Sequence, residues 1–166
     1  HEVGGNPRAA GLAAALLFAL PGAVSIYYGD EVGMSGAKEP ASRMGMVWDE
    51  RRQDRQMLEL YRRLGRLRRS APALHGAEYR RLAEDGAVVA FGRGDGADRL
   101  VVAANAGQSE ARLPADALAD WLDGRPRVSG TFGYDDGRAS VNGDAVRVPP
   151  QSVAVLTGQR TKGGKT

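Results

Sequence analysis

From His75 onward the chain is cut into short apolar or alternating runs, and that spacing leaves few folds open. The runs are Glu78–Leu82, Val88–Arg93, Arg99–Ala106, Glu110–Leu113, Val128–Phe132, Ala139–Val141, Ala145–Val148 and Ser152–Thr157. Between them stand Glu84-Asp85-Gly86, Gly94-Asp95-Gly96, Asp135-Asp136-Gly137 and Asn142-Gly143-Asp144, the residue types that close tight hairpins. Strands this short and this regularly interrupted cannot reach across a parallel crossover, so the pattern predicts an antiparallel sandwich. One helical turn is expected inside it, over Ala117–Leu122, and a polar tail over Gln159–Thr166.

The first half has a different texture. Asn6 and Pro7 suit the cap and first position of a helix, and Arg8–Leu20 is almost wholly Ala, Leu and Phe until Pro21-Gly22 stops it. No polar face is left on that helix, so it is expected to need a partner surface. Ala23-Val24-Ser25-Ile26-Tyr27-Tyr28 then reads as a short strand buried on both faces, ending abruptly at Gly29-Asp30-Glu31. A loop bearing Gly, Ser and Pro follows. A second helix is expected from about Asp49 to Ser70, with Met57, Leu60, Tyr61, Leu64 and Leu67 on one stripe. Arg62, Arg63, Arg66, Arg68 and Arg69 form a basic face, read either as a solvated face favouring the helix C-terminus or as a contact for an anionic partner, with the first preferred. Ala71-Pro72-Ala73-Leu74 closes the helix and begins a linker.

Composition narrows function. With 23 Lys and Arg against 20 Asp and Glu, the net charge of +3 over 166 residues is too small to point to nucleic acid. The absence of cysteine excludes disulfides and thiolate metal sites, and no apolar run approaches the length that spans a bilayer. His1 and His75 are isolated, no phosphate-cradling glycine loop or carboxylate-rich calcium loop is evident, and no metal or other cofactor is expected. The compartment is left open, with a lean to the cytoplasm.

Taken in order, Leu20-Pro21-Gly22, Ile26-Tyr27-Tyr28-Gly29-Asp30-Glu31 and Gly33 resemble the eighth barrel strand of the α-amylase family of glycoside hydrolases. The loop that follows in that family carries Asp-Pro-x-x-Arg and Met-x-Trp. Here the same places hold Glu39-Pro40-Ala41-Ser42-Arg43 and Met46-Val47-Trp48. The spelling Tyr-Tyr-Gly-Asp-Glu is most like the neopullulanase, cyclomaltodextrinase and maltogenic amylase branch. Farther on, Ala87-Val88-Val89-Ala90-Phe91-Gly92-Arg93, Leu100–Ala106 and Pro149-Pro150-Gln151-Ser152 are similar to that family's C-terminal domain, so the resemblance runs from Gly4 to about Thr157.

The resemblance implies an α+β chain: the last βα repeat of a TIM (β/α)8 barrel over residues 1–74, a C-terminal β-sandwich over 75–158 and a tail over 159–166. It implies a retaining enzyme that hydrolyses or transfers α-glucosidic bonds in maltodextrins, cyclodextrins or pullulan, with an α-glucan oligosaccharide as partner and a homo-oligomer left open. The family's nucleophile, general acid and third carboxylate lie after the fourth, fifth and seventh barrel strands, and none of those motifs occurs here. Catalytic residues are therefore expected to be absent and the piece inactive alone. His1-Glu2 sits too close to the strand to be the family's His-Asp pair.

Asp30 and Glu31, adjacent in sequence, diverge and suit an ion pair or loop hydrogen bond better than an acid–base couple. Glu39 and Arg43 are the expected substrate-binding residues. In the family the matching Asp and Arg hold sugar hydroxyls, and Glu39 is one methylene longer; a Glu–Arg pair that merely pins the loop is the competing role. Trp48 is expected in the core beneath the loop rather than stacked on a sugar. A second function class, a non-catalytic carbohydrate-binding or interaction module built on the sandwich, would need exposed aromatics among Tyr79, Phe91, Trp121, Phe132 and Tyr134.

Overall fold

The structure is a computed structural model that describes residues 5–36 and 43–159. The order is α1 (Pro7–Ala19), a long irregular segment, α2 (Arg55–Ser70), then β1 (Tyr79–Asp85), β2 (Val88–Arg93), β3 (Leu100–Asn105), β4 (Ala111–Pro114), α3 (Asp116–Leu122), β5 (Arg125–Gly133), β6 (Ser140–Asn142), β7 (Ala145–Val148) and β8 (Ser152–Gln159). The strands make one five-stranded sheet, β1-β2-β3-β8-β5, and one three-stranded sheet, β4-β7-β6, every pairing antiparallel. Gln159, read as the start of a tail, still pairs with Arg125; 160–166 lie outside the described residues.

Side-chain alternation divides two cores between the faces of the larger sheet. Leu100, Val102 and Ala104 of β3, with Val153 and Val155 of β8, Phe91 and Phe132, face the helices. Val101 and Ala103 of β3, with Ala154 and Leu156 of β8, Val88 and Ala90, face the smaller sheet and α3. The two sheets thus stack as a sandwich, and the helix pair forms a third layer. On the second face Trp121 donates its indole N–H to Leu100 O at 3.0 Å, and the guanidinium of Arg99 sits 5.1 Å from its ring. Asn105, 1% exposed, ties the sheets by donating from Nδ2 to Val148 O at 3.0 Å while its Oδ1 accepts from Gly107 N–H at 2.8 Å.

Asn6 caps α1, its Oδ1 accepting from the N–H groups of Arg8 and Ala9 at 3.0 and 3.3 Å. The surface this helix needs is largely supplied from within the chain: Leu12, Ala14, Ala15 and Phe18 are buried against α2 and the sheet, while Leu17 and Leu20 stay exposed. The second helix starts later than its sequence suggests. Asp49 caps a single 3-10 turn over Glu50–Arg52, and Asp54 caps α2 by accepting from Met57 N–H at 2.9 Å. Of the basic face, Arg62 and Arg66 remain at the surface beside Glu59. Arg63 donates to Thr131 O and covers the Phe132 ring, and Arg68 turns onto the end of α1.

One expectation fails. Ala23–Tyr28 forms no strand and joins neither sheet, and Ile26, Tyr27 and Tyr28 are 44%, 57% and 44% exposed. A strand buried on both faces needs a neighbour at each edge and a layer on each side. Among the described residues only Val24 finds such cover, packing partly against the helix-side core.

Two predictions follow from the packing. A Cβ on Gly92 would meet Trp121 Cε2 at 2.3 Å, so Gly92→Ala should cost about 1–3 kcal/mol in urea unfolding. Most of that cost should vanish in a Trp121→Phe background, where the ring no longer fills the space. The second concerns Tyr61, which packs edge-on to Phe18 with ring centres 6.0 Å apart. Burial, together with the carboxylates of Asp30 and Glu31, pushes its phenol from 10.0 up to about 12. A raised value in the folded state favours the neutral phenol, so its contribution is intact below pH 10 and is lost as pH rises through about 12. Urea midpoints followed by circular dichroism should therefore fall less steeply over that window in Tyr61→Phe than in the unaltered chain.

Candidate functional site

The site is the segment between the helices. After α1 the chain runs irregularly to Tyr28, then turns through Gly29 (φ +94°), a 3-10 turn at Asp30–Val32 and Gly33 (φ +71°). Both glycines stand in the left-handed region that a side chain disfavours, and a Cβ on Gly33 would lie 2.6 Å from Asp54 Cβ. Val32 is buried, and its carbonyl accepts from Asp54 N–H at 2.9 Å, which fastens the turn to the cap of α2. Asp54 also accepts from the Tyr134 hydroxyl at 2.9 Å; burial, with this bond second, raises the Tyr134 phenol above the ordinary value.

Glu31 takes the loop role: its Oε2 accepts from Gly29 N–H at 2.8 Å. Desolvation, and then the neighbouring Glu31 charge, lifts the Asp30 carboxyl above the usual carboxylate range. Asp49 is held below it by the hydrogen bonds from Arg51, at 3.0 Å to each oxygen from the guanidinium. None of these carboxylates faces another in the manner of an acid–base couple in any hydrogen bond or ion pair among the described residues.

Of the two expected substrate-binding residues, Glu39 lies outside the described residues, as do His1 and Glu2. Arg43 stands exposed where the described chain resumes. Next to it, Met44 O accepts from the Tyr28 hydroxyl at 2.9 Å, so the two limbs of the loop are joined across 16 residues. Sequence reasoning missed this tie because it placed Tyr28 inside a strand. Trp48 is 81% exposed rather than beneath the loop, and Gln53 Nε2 donates to Val47 O at 2.8 Å beside it.

Tyr27, Tyr28, Met44 and Trp48 are thus exposed apolar and aromatic residues on the segment that carries Arg43, the two tyrosine rings 4.9 Å apart and inclined at 33°. Aromatic faces beside a guanidinium can take the two sides of sugar chemistry, C–H faces and hydroxyls. On the sandwich, by contrast, Phe91, Trp121 and Phe132 are buried, leaving Tyr79 exposed. Among the described residues no group of three or more His, Asp or Glu could hold a metal ion, and no helix is long and apolar enough to cross a membrane.

No family model matches the chain. A cyclomaltodextrinase of Geobacillus thermopakistaniensis is 32% identical over 123 residues, 72% of this chain and 21% of the relative. Neopullulanase 2 of Thermoactinomyces vulgaris is 42% identical over 71 residues, 43% of this chain and 12% of the relative. The crystal structure of a debranching enzyme from Nostoc punctiforme superposes with a TM-score of 0.74 at 30% identity, covering 93% of this chain and 32% of that one. The chain therefore spans no more than about a third of the proteins it is similar to. The chain is thus similar to part of the glycoside hydrolases of the α-amylase family.

Proposed function

We propose that this chain is the C-terminal portion of a retaining enzyme that hydrolyses or transfers α-glucosidic bonds in maltodextrins, cyclodextrins or related glucans. In this reading residues 1–74 are the last βα repeat of the catalytic (β/α)8 barrel, residues 75–158 the sandwich behind it and residues 159–166 a tail. Ala23–Tyr28 becomes the eighth barrel strand only when flanking strands are present. The observation that carries the proposal is the exposed Ile26-Tyr27-Tyr28 run, tied through Tyr28 to Met44 next to Arg43, apolar residues without cover among the described residues.

Arg43 is assigned to binding sugar hydroxyls, with Glu39 as its acidic companion. A guanidinium is charged at every working pH and offers its donors in a fixed fork, which suits adjacent hydroxyls on one ring. No step of bond cleavage is assigned to this chain. Double displacement needs a nucleophile and an acid flanking the bond, about 5–5.5 Å apart in retaining enzymes, and the motifs that supply them in the family have no counterpart here.

In the full-length enzyme, Arg43→Ala should weaken productive binding of long maltodextrins by about 1–3 kcal/mol and spare substrates too short to reach it. Equal losses on long and short substrates, tracking a lower melting temperature, would assign Arg43 to pinning the loop. The purified chain alone should release no reducing sugar from maltodextrin or cyclodextrin, and light scattering should find it self-associated through the uncovered aromatic residues. Turnover by the pure chain would refute the assignment of the catalytic carboxylates to other segments. Glucan affinity in a titration that Arg43→Ala leaves unchanged would favour the non-catalytic binding module instead.

A further inference from the structure

The last turn of an α-helix leaves main-chain carbonyls without partners and concentrates negative potential there. In α1 that end is awkward, because its last turn carries no basic residue and the chain departs at once into the irregular segment. The missing donors arrive from elsewhere. Arg68 of α2 donates from Nη1 to Phe18 O at 2.8 Å and Leu20 O at 3.0 Å, and from Nη2 to Gly22 O at 2.7 Å. Arg93, at the end of β2, donates from Nη1 to Ala19 O. Its other donors go to the linker: Nε to Glu78 O at 2.6 Å, and Nη2 to Leu74 O at 3.1 Å and Gly76 O at 2.6 Å.

Arg93 is wholly buried, and among the described residues neither guanidinium is in an ion pair. Burial, with the charge of Arg68 second, holds the Arg93 guanidinium below its ordinary value. Two like charges set close together without a carboxylate are an expensive arrangement for a protein that merely needs a filled core, where an apolar side chain serves as well. Its geometry does one specific thing: seven carbonyls from two places in the chain, the end of α1 and the linker, are gathered on two rigid forks. His75 Nε2 closes the set by donating to Arg68 O at 2.6 Å.

We propose that Arg68 and Arg93 are a positioning pair through which the five-stranded sheet and α2 set where the segment Leu20–Tyr28 leaves α1, and so where the Tyr28–Met44 tie and the Arg43 loop stand. The link to sugar binding rests on the reading of that loop as a glucan-binding surface. The positioning itself does not.

Hydrogen–deuterium exchange on this chain tests the positioning. Arg68→Met, Arg93→Met and the conservative Arg93→Lys are compared with Val146→Ala, which opens a cavity in the opposite core, at matched fractions of their melting temperatures. Arg68→Met and Arg93→Met should speed exchange over residues 16–20, the hydrogen-bonded amides at the point where the segment leaves α1, about tenfold or more relative to Val146→Ala, with Arg93→Lys in between. Should Arg93→Met fail to fold, Arg68→Met and Arg93→Lys carry the same comparison. Exchange over 16–20 no faster in Arg68→Met and Arg93→Lys than in Val146→Ala overturns the proposal. In the full-length enzyme, Arg68→Met should raise KM for long maltodextrins several-fold with kcat kept, as Arg43→Ala does. If Arg43→Ala changes no kinetic constant while Arg68→Met still loosens residues 16–20, the glucan-binding reading fails and the positioning pair stands.

Discussion

Everything in this fold hangs on the burial of one sheet on both of its faces. All six residues of β3 are buried, as are the first five of β8 beside it. In such strands alternate side chains belong to different cores, so a slip of one residue would exchange Val102 and Ala104 for Val101 and Ala103 on the helix side and disturb both cores together. The register is defended by residues that cannot be moved. Asn105 at the end of β3 has its amide matched to carbonyls of the smaller sheet, and a slip would leave it buried without partners.

The helix layer is held to this sheet at closer range than ordinary side chains permit. A Cβ on Gly11 of α1 would stand 2.9 Å from Tyr134 N and 3.1 Å from Leu60 Cδ2. The alanine-rich composition of α1, which looks in isolation like a hydrophobic excess, is what lets its backbone approach β5 and β8. The first half of the chain therefore shares a continuous core with the second, and Arg93, whose partners lie up to 74 residues away, joins the two polar frameworks inside it.

Much of this was legible locally. β2 and β7 run over the same residues in sequence and structure, the Asn6 cap is where capping chemistry places it, the short helix before β5 begins one residue earlier than read, and the sandwich follows from the spacing of turns. What was not legible depended on residues far apart. Val24–Tyr28 has the composition of a buried strand, but composition records what a segment is suited to pack against and not whether that neighbour exists in the chain. The start of α2 was misplaced because Asp49 and Asp54 are both good caps, and the choice between them is made by Val32, whose carbonyl receives Asp54 N–H. Trp48 was misjudged too: its bulk and apolarity argue for the core, yet the side chain is 81% exposed. At the candidate site, Glu39 and Arg43 came from resemblance alone, while the Tyr28–Met44 tie that frames Arg43 needed coordinates.

The two tryptophans end up in opposite surroundings, which gives the molecule a pair of native optical probes. Trp121, 8% exposed and bonded to a strand carbonyl, should emit toward the blue, hidden from aqueous quenchers. Trp48, 81% exposed, should emit toward the red and be quenched freely by iodide or acrylamide. The quenchable share of the fluorescence thus reports on the loop and the protected share on the sandwich. An added saccharide, a covering protein surface or a rise in temperature can then be followed at both places in one cuvette, without a label.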